Sequence, residues 1–461
     1  MELIEISILW LVILMDDHNQ KWKTLHVKIG VIGHTDYNRT LLNDAIHKIL
    51  EQNPDQIPHY DPIDVCISSA SKIKILNLAN DPIFNSDQPD GIKFSNKEKT
   101  SKKGENEMRL FSTEQVTKYH PDKACDQISD AILTACLQGD PNSRVACECM
   151  FKGETVVLAG EITTNAEINY PEIVCRVAGK LGYKVKEVII MIDQQSPEIA
   201  NGVKSGEFLR AGDQGIMFGY ATRETESGLP YAFDMANKII EILEKDVGTP
   251  GSILVGDAKC QVTVDLDKPA NSESLEEILI SVCHKPKYIL EQVQEDIKRL
   301  LRNSGLDLCN ARLNINPAGT WTIGGPIADC GLTGRKIVCD QYGGFCPVGG
   351  GASSGKDPSK VDRSAAYMAN YIARDLVFNH GLDFATVQIG YAIGEMRPMS
   401  VSVKSSSPCE DEYFADLVWK KYDLSPAGII KFLGLLNVDY EKLAEGCHYR
   451  FPELPKVRKK L

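Results

Sequence analysis

The sequence predicts an α+β protein of several domains behind a distinct N-terminal extension. Three observations carry this. The chain has 461 residues, too many for one core and suited to about two to four domains. "RVACECMF" and "ETVVLAGEITT" alternate with the period of a strand. "HPDKACDQISDAILTACL" instead repeats apolar or thiol residues every three or four positions, the period of a helix face.

Composition narrows the partners. A net charge of -12 excludes general binding to nucleic acid or anionic membrane, which needs a surplus of Lys and Arg over a surface. A polyanionic ligand must then meet a local basic cluster. The 14 cysteines contain no C-x-x-C pair and are scattered through apolar segments, as expected of a reduced, cytoplasmic protein.

The extension comes first. "ISILWLVILM", Ile6 to Met15, is shorter than the ~20 residues that span a bilayer. Acidic Glu2 and Glu5 precede it where a signal peptide carries positive charge, so a buried strand or helix is expected. "HVKIGVIGHTDYNRTLLNDAIHKIL", His26 to Leu50, has the pattern of a strand, a turn and a helix and resembles the start of a translational GTPase. Asn38 and Arg39 stand where such a loop needs Gly and Lys, so GTP binding is not expected. "NSDQPDGIKFSNKEKTSKKGEN", Asn85 to Asn106, is polar and charged and has the composition of a linker.

Dense structure follows. Pro121 at a first helical position, with Cys125, Ile128, Ile132 and Ala135 behind it, predicts an amphipathic helix headed by His120, Asp122 and Lys123. An imidazole, a carboxylate and an ammonium at a helix N-terminus suit a phosphate and its metal, though an ordinary capped helix fits the segment as well. Lys152-Gly153 between the two alternating runs predicts a two-residue hairpin pairing Phe151 with Glu154 and Glu148 with Val157. That register puts Glu148 and Glu161 on one face; a simply solvated face is the competing account.

Further on, Asp213 lies in the glycine-punctuated "AGDQGIMFGYAT", and "GDAKCQVTVDL" runs Asp257 and Lys259 into a strand with Val262, Val264 and Leu266 on one face. "INPAGTWTIGGPIADCGLTGRKIVCDQYGG" supplies Asp329, Arg335 and Lys336. "GGASSGKD", Gly350 to Asp357, is one residue from the phosphate-loop pattern, with Asp357 where a Ser or Thr would hold Mg²⁺. Lys356, Lys360, Asp362 and Arg363 then lead into a helix carrying Met368, Ile372 and Leu376. Together these aspartates can hold hard cations and the lysines and arginine can neutralise a polyphosphate.

From Met108 to about Leu454 the segments "HPDKACDQISDAIL", "GEITT", "AGDQGIMFGYAT", "DAKCQVT", "GGPIADCGLTGRKIVCDQYGG" and "GGGASSGKDPSKVDRSAAY" resemble, in family order, the S-adenosylmethionine synthetases (methionine adenosyltransferases). The resemblance implies three similar sheet-and-helix domains with pseudo-threefold symmetry, at 107–208, 209–322 and 323–461, after the extension 1–106. It implies homodimers or dimers of dimers with shared active sites, sheet faces packed together. The implied reaction joins L-methionine to the adenosyl group of ATP, and the triphosphate leaves as phosphate and pyrophosphate. Asp357 is the residue that family has, so the stretch is no damaged phosphate loop.

By position, the resemblance puts His120 at the phosphate–ribose junction and makes Asp122 and Asp362 carboxylates for two Mg²⁺. Lys123, Lys259, Arg335, Lys336 and Lys356 would line the phosphate chain, with Glu114 and Asp257 as further active-site carboxylates. Trp321 and Asp329 fall at adenosine positions. Glu148 matches a K⁺ ligand, and Glu161, Gln195, Asp213 and Lys360 match methionine contacts, which Asp329 shares. The chain departs from the family where "TKYHPDK" replaces "GEGHPDK", and at Arg210, Trp321 and Ser354. Those departures motivate the alternative of a catalytically weak homologue acting as a binding or regulatory subunit.

Overall fold

A computed structural model describes residues 109–194, 210–309, 311–451 and 454–455 in full, and the backbone alone of Ser7–Asp17, Lys21–Val31, Lys204–Ser205 and Phe208–Leu209. Asn38 and Arg39, the linker and Gln195 lie outside the described residues. The chain divides into two compact units, 1–100 and 101–461.

In the first unit, β1 (Ser7–Asp17) pairs antiparallel with β2 (Lys21–Val31), from Ser7 opposite Val31 to Asp17 opposite Lys21. The apolar run Ile6–Met15 is therefore strand rather than helix over its described part.

The second unit contains three principal sheets. Its elements in chain order begin with β3 (Leu110–Val116), α1 (Pro121–Gly139), β4 (Arg144–Lys152), β5 (Thr155–Thr163), α2 (Tyr170–Lys180) and β6 (Glu187–Asp193). A two-residue ladder β7–β8 (Lys204–Ser205, Phe208–Leu209) precedes β9 (Gly215–Thr222), α3 (Tyr231–Asp246), β10 (Leu254–Asp265), β11 (Leu275–His284), α4 (Leu290–Asn303) and β12 (Arg312–Ile315). Then come β13 (Gly331–Leu332), α5 (Val361–His380), β14 (Phe384–Tyr391), β15 (Ser400–Ser405) and α6 (Asp411–Lys421).

One order recurs. Each sheet is built on an antiparallel hairpin, β4–β5, β10–β11 or β14–β15, with a helix before it and a helix after it. In two of them a further strand runs parallel to the second hairpin strand, β6 beside β5 and β12 beside β11. The other edge always comes from a distant segment: β13 beside β4, β3 beside β10, β9 beside β14. The three sheets are thus completed by one another's parts of the chain.

The hairpin register differs from the expected one. Lys152 pairs with Thr155 and Glu148 with Ala159, so Gly153-Glu154 form the turn. Gly153 has φ +64, a conformation glycine adopts freely at the first loop position. The shift is by two residues, so Glu148 and Glu161 still share a face. Leu266 also departs from expectation: β10 ends at Asp265 and slips register between Thr263 and Val264, which leaves Leu266 44% exposed while Val262 and Val264 are buried.

Helix α1 is not amphipathic in the expected sense. Its polar residues Asp122, Lys123, Asp126 and Asp130 are as buried as Cys125, Ile128 and Ile132. Spaced four apart, the three aspartates form a stripe that grips the C-terminal part of the chain. Asp122 accepts Leu332 N–H at 3.0 Å, Asp126 accepts Gly334 N–H at 2.8 Å and Asp130 accepts Gly355 N–H at 2.8 Å. Buried carboxylates so satisfied avoid the desolvation cost of an unpaired charge.

On α5, Met368, Ile372 and Leu376 are buried. The helix ends at Gly381, φ +87, a left-handed C-terminal cap.

Candidate active site

The residues before α1 fix the first functional group. His120 caps the helix, its Nδ1 accepting the Asp122 N–H at 3.1 Å. The ring is 1% exposed. Burial, then the cations Lys336 and Lys259, hold its pKa down to about 3 despite Asp122. His120 is therefore neutral at physiological pH, and with Nδ1 accepting, its proton sits on Nε2.

Asp122 stands between this ring and two cations. Lys336 Nζ lies 2.6 Å from Oδ2 and Arg335 Nε 3.8 Å from Oδ1. Burial alone would raise its pKa, but the bonds from Lys336 and Leu332 N–H outweigh it and keep the carboxyl below its usual range. Lys259 projects from the exposed side of β10, in register with Val116 at the end of β3. Glu114 lies opposite Gln261 on the same exposed face, two positions along from Lys259.

Beside them Asp257 accepts Gly325 N–H through Oδ2 at 2.8 Å, while its buried Oδ1 has no hydrogen-bond partner. Burial raises its pKa to about 6 against the opposing pull of Gly325 N–H and Lys259. Asp329 follows the short helix Gly325–Ala328, and its charge helps raise the Asp257 pKa. Trp321 pairs its backbone with His284, N–H to Nε2 at 3.3 Å and C=O from His284 N–H at 2.9 Å, and its indole N–H donates to Ile323 C=O.

A third group gathers at β4. Gly355 N–H and C=O bond to Asp130 and Cys147, and Lys356 bridges to Ala146. A Cβ at Gly355 would sit 2.1 Å from the Cys147 carbonyl oxygen. The glycine of "GKD" thus serves close backbone approach rather than a phosphate cradle. Asp357 accepts Val145 N–H and Ser359 N–H and takes Lys360 Nζ at 2.5 Å. Lys356 instead reaches Asp362, in the first turn of α5, at 2.5 Å. Burial raises the Glu148 carboxyl, with Lys356 opposing and Glu161 adding to the shift.

Two expected phosphate or methionine contacts are committed elsewhere. Lys123 is fully buried against Asp340 at 2.6 Å and Asp126 at 3.1 Å, and Lys360 is spent on Asp357. Glu161 is exposed and opposite Ala146, and Asp213 is exposed with its Oδ1 on Gln214 N–H. Sequence inspection missed Asp126, Asp130 and Asp340, the partners that hold this architecture. The four-residue spacing of aspartates in "PDKACDQISDAIL" was the available signal.

Among the described residues no three His, Cys, Asp or Glu side chains converge as a metal cage. The fit to Mg²⁺ is of another kind. Asp122 and Asp362 each offer a carboxylate beside a lysine, and a Cβ at Gly351 would lie 2.3 Å from Asp362 Cγ, so glycine there lets the Asp362 carboxylate lie against the backbone. Single carboxylates flanked by cations suit an ion whose other ligands are phosphate oxygens and water.

Three family models match the chain in succession. The N-terminal domain of S-adenosylmethionine synthetase matches residues 108–205, the central domain residues 209–321 and the C-terminal domain residues 323–457. The S-adenosylmethionine synthase of Brachyspira hyodysenteriae (strain ATCC 49526 / WA1) is 43% identical, over 74% of this chain and 92% of that protein. A solved structure described as an unusual S-adenosylmethionine synthetase, from Campylobacter jejuni, is similar with a TM-score of 0.68 and 31% identity, over 75% of this chain and 97% of that one.

Proposed function

The chain belongs to the S-adenosylmethionine synthetase family, and from that premise we propose how its residues make S-adenosylmethionine from ATP and L-methionine. The methionine sulfur attacks the ribose C5′, and the C5′–O bond breaks with its electrons leaving on the triphosphate, which is then hydrolysed to phosphate and pyrophosphate. The observation that carries this is the convergence on neutral His120 of Lys336 and Lys259, from different parts of the chain.

The first step moves no proton, so the protein's task is electrostatic. His120 donates Nε2–H toward the leaving oxygen without adding a charge that must be neutralised. Lys259, Arg335, Lys336 and Lys356 meet the negative charge of the triphosphate, and Trp321, Asp257 and Asp329 hold the adenosine end. Glu114 serves beside Lys259, while Lys123 acts from within by anchoring the helix that presents His120. Glu161, Asp213 and Gln195 bound the methionine, and Lys360 acts from behind them by holding Asp357. Two Mg²⁺ held by Asp122 and Asp362 would stabilise the leaving charge when bound, and Glu148 would take K⁺.

Lys336 and Lys356 pair with Asp122 and Asp362, so they stand beside the carboxylates that would hold Mg²⁺ and within reach of the same phosphates.

The domain limits 107–208, 209–322 and 323–461 and the homodimer belong to the same proposal. Outward residues Met150, Ile189 and Met191 leave large apolar area exposed on the β4–β5–β6 sheet, as a subunit interface requires. Among the described residues no helix is long and apolar enough to cross a membrane, and the cysteines are free thiols, in keeping with a cytoplasmic enzyme.

The test is direct. Purified protein with ATP, methionine, Mg²⁺ and K⁺ should yield an adenosyl-sulfonium by mass spectrometry together with phosphate and pyrophosphate. ATP bound without any sulfonium would instead establish the regulatory-subunit alternative.

A further inference from the structure

Tyr119, the residue before His120, is one of the departures from the family pattern, and its ring has a definite seat. A Cβ at Gly256 would lie 2.7 Å from Tyr119 Cγ, so the ring rests directly on that glycine. The Tyr119 carbonyl accepts a short hydrogen bond from the Tyr183 hydroxyl. Tyr183 in turn lies on Gly325, where a Cβ would be 2.6 Å from its Cε1.

Gly256, at the irregular start of β10, and Gly325, at the head of a short helix, both have positive φ, +135 and +66, so each backbone conformation depends on glycine and each lacks a side chain to support it. A tyrosine ring fills each gap. Between the two glycines runs the hydrogen bond from Gly325 N–H to Asp257 Oδ2. The pair of rings is itself anchored. Phe151 meets Tyr183 edge-on with centroids 6.0 Å apart. Thr117 Oγ1 donates to Gly256 C=O at 2.9 Å, and Lys118 N–H donates to Glu244 Oε1 at 2.6 Å.

We propose that Tyr119 is a positioning residue for the nucleotide: with Tyr183 it forms a two-ring bracket, seated on Gly256 and Gly325, that fixes the Asp257 carboxylate for the adenosine end of ATP. This rests on ATP being the ligand of the site. Glycine backbone left unsupported samples many conformations, and a carboxylate that must be reordered on binding loses affinity. The effect falls on ATP, because Asp257 is on the adenosine side, and leaves methionine binding largely alone.

The full chain is compared with its Tyr119→Ala, Tyr119→Phe and Tyr183→Phe variants. The measurements are calorimetric affinity for Mg²⁺ with the non-hydrolysable analogue AMP-PNP, KM for each substrate, and melting temperature. Tyr119→Ala should weaken AMP-PNP and raise the KM for ATP about tenfold, with the KM for methionine within about twofold. Tyr119→Phe, which keeps the ring, should restore the wild-type KM for ATP. Tyr183→Phe loses only the bond to the Tyr119 carbonyl and should shift ATP in the same direction by less. It carries the test if Tyr119→Ala does not fold. The double variant Tyr119→Ala/Tyr183→Phe should be no worse than Tyr119→Ala alone, as expected for two parts of one bracket.

A lower melting temperature with unchanged affinity and KM for ATP would overturn the bracket and leave the proposed function standing. AMP-PNP affinity that shifts as expected in a protein forming no sulfonium would support the bracket and reject the synthetase activity. Failure of the wild type to bind AMP-PNP would reject both.

Discussion

Arg363 closes on Asp130 inside the protein through two bonds, Nη1 to Oδ1 at 2.9 Å and Nη2 to Oδ2 at 2.5 Å, with both side chains 0% exposed. The pair joins α1 to α5, and the guanidinium also lies over Tyr440, 4.5 Å from the ring centroid. Removing one member strands a buried charge. Arg363→Met or Asp130→Asn should each cost about 3–5 kcal/mol, whereas Asp130→Leu/Arg363→Met should recover part of that loss. Urea unfolding of the three variants measures it, and single variants as stable as wild type would show that the pair is energetically idle.

Asp362→Asn should abolish turnover with little effect on the fold, because Asp362 is partly exposed and bonded to Lys356. Loss of a metal carboxylate removes several kcal/mol, roughly, of leaving-group stabilisation. Gly351→Ala should act in the same direction, since its Cβ would collide with Asp362 Cγ. Full activity in Asp362→Asn, with circular dichroism unchanged, would reject the metal assignment.

The Asp257 carboxyl titrates at about 6 in the folded protein against an ordinary 3.8. Its folded pKa is raised, so its contribution to stability is complete below the ordinary value and is lost as pH rises through about 6. Asp257→Asn cannot ionise. Its melting temperature, relative to wild type, should therefore be more favourable at about pH 8 than at about pH 5. A pH-independent difference would contradict the shift. In wild type the acid limb of kcat/KM for ATP should lie near Asp257's value, because His120, held down to about 3, contributes no inflection there.

Lys259 and Arg335 are exposed and should matter to chemistry more than to folding. Neutralising either should lower kcat and kcat/KM together by about tenfold or more, the sign of an interaction strongest in the transition state. A pure rise in the KM for ATP would mean that they hold only the ground state.

The sequence displayed local features well. Pro121 marked the start of α1, the alternation of "RVACECMF" and "ETVVLAGEITT" marked β4 and β5, and the shared face of Glu148 and Glu161 survived an error in the turn because that error was even. The charged residues of the proposed site were assigned by resemblance, as single letters in motifs. Their partners were not. Asp340, which holds Lys123, and Asp130, which holds Arg363, are far from those residues in sequence, and no local period encodes such a pairing. The threefold recurrence of hairpin and flanking helices was equally hidden, because it resides in topology and the segments that repeat it share no wording.

The exchange of edge strands makes order of synthesis matter. β3 is made early but pairs with β10, and β4 pairs with β13, both far downstream in the chain. On the ribosome the first hairpin therefore emerges with one edge open, and it stays so until Gly331 and Leu332 have been made. Open edges invite pairing with neighbouring chains, and closing them late is slow because the contacts are non-local. Refolding of the whole chain should accordingly depend on protein concentration, and a fragment ending before Gly331 should be prone to associate through the edge of β4.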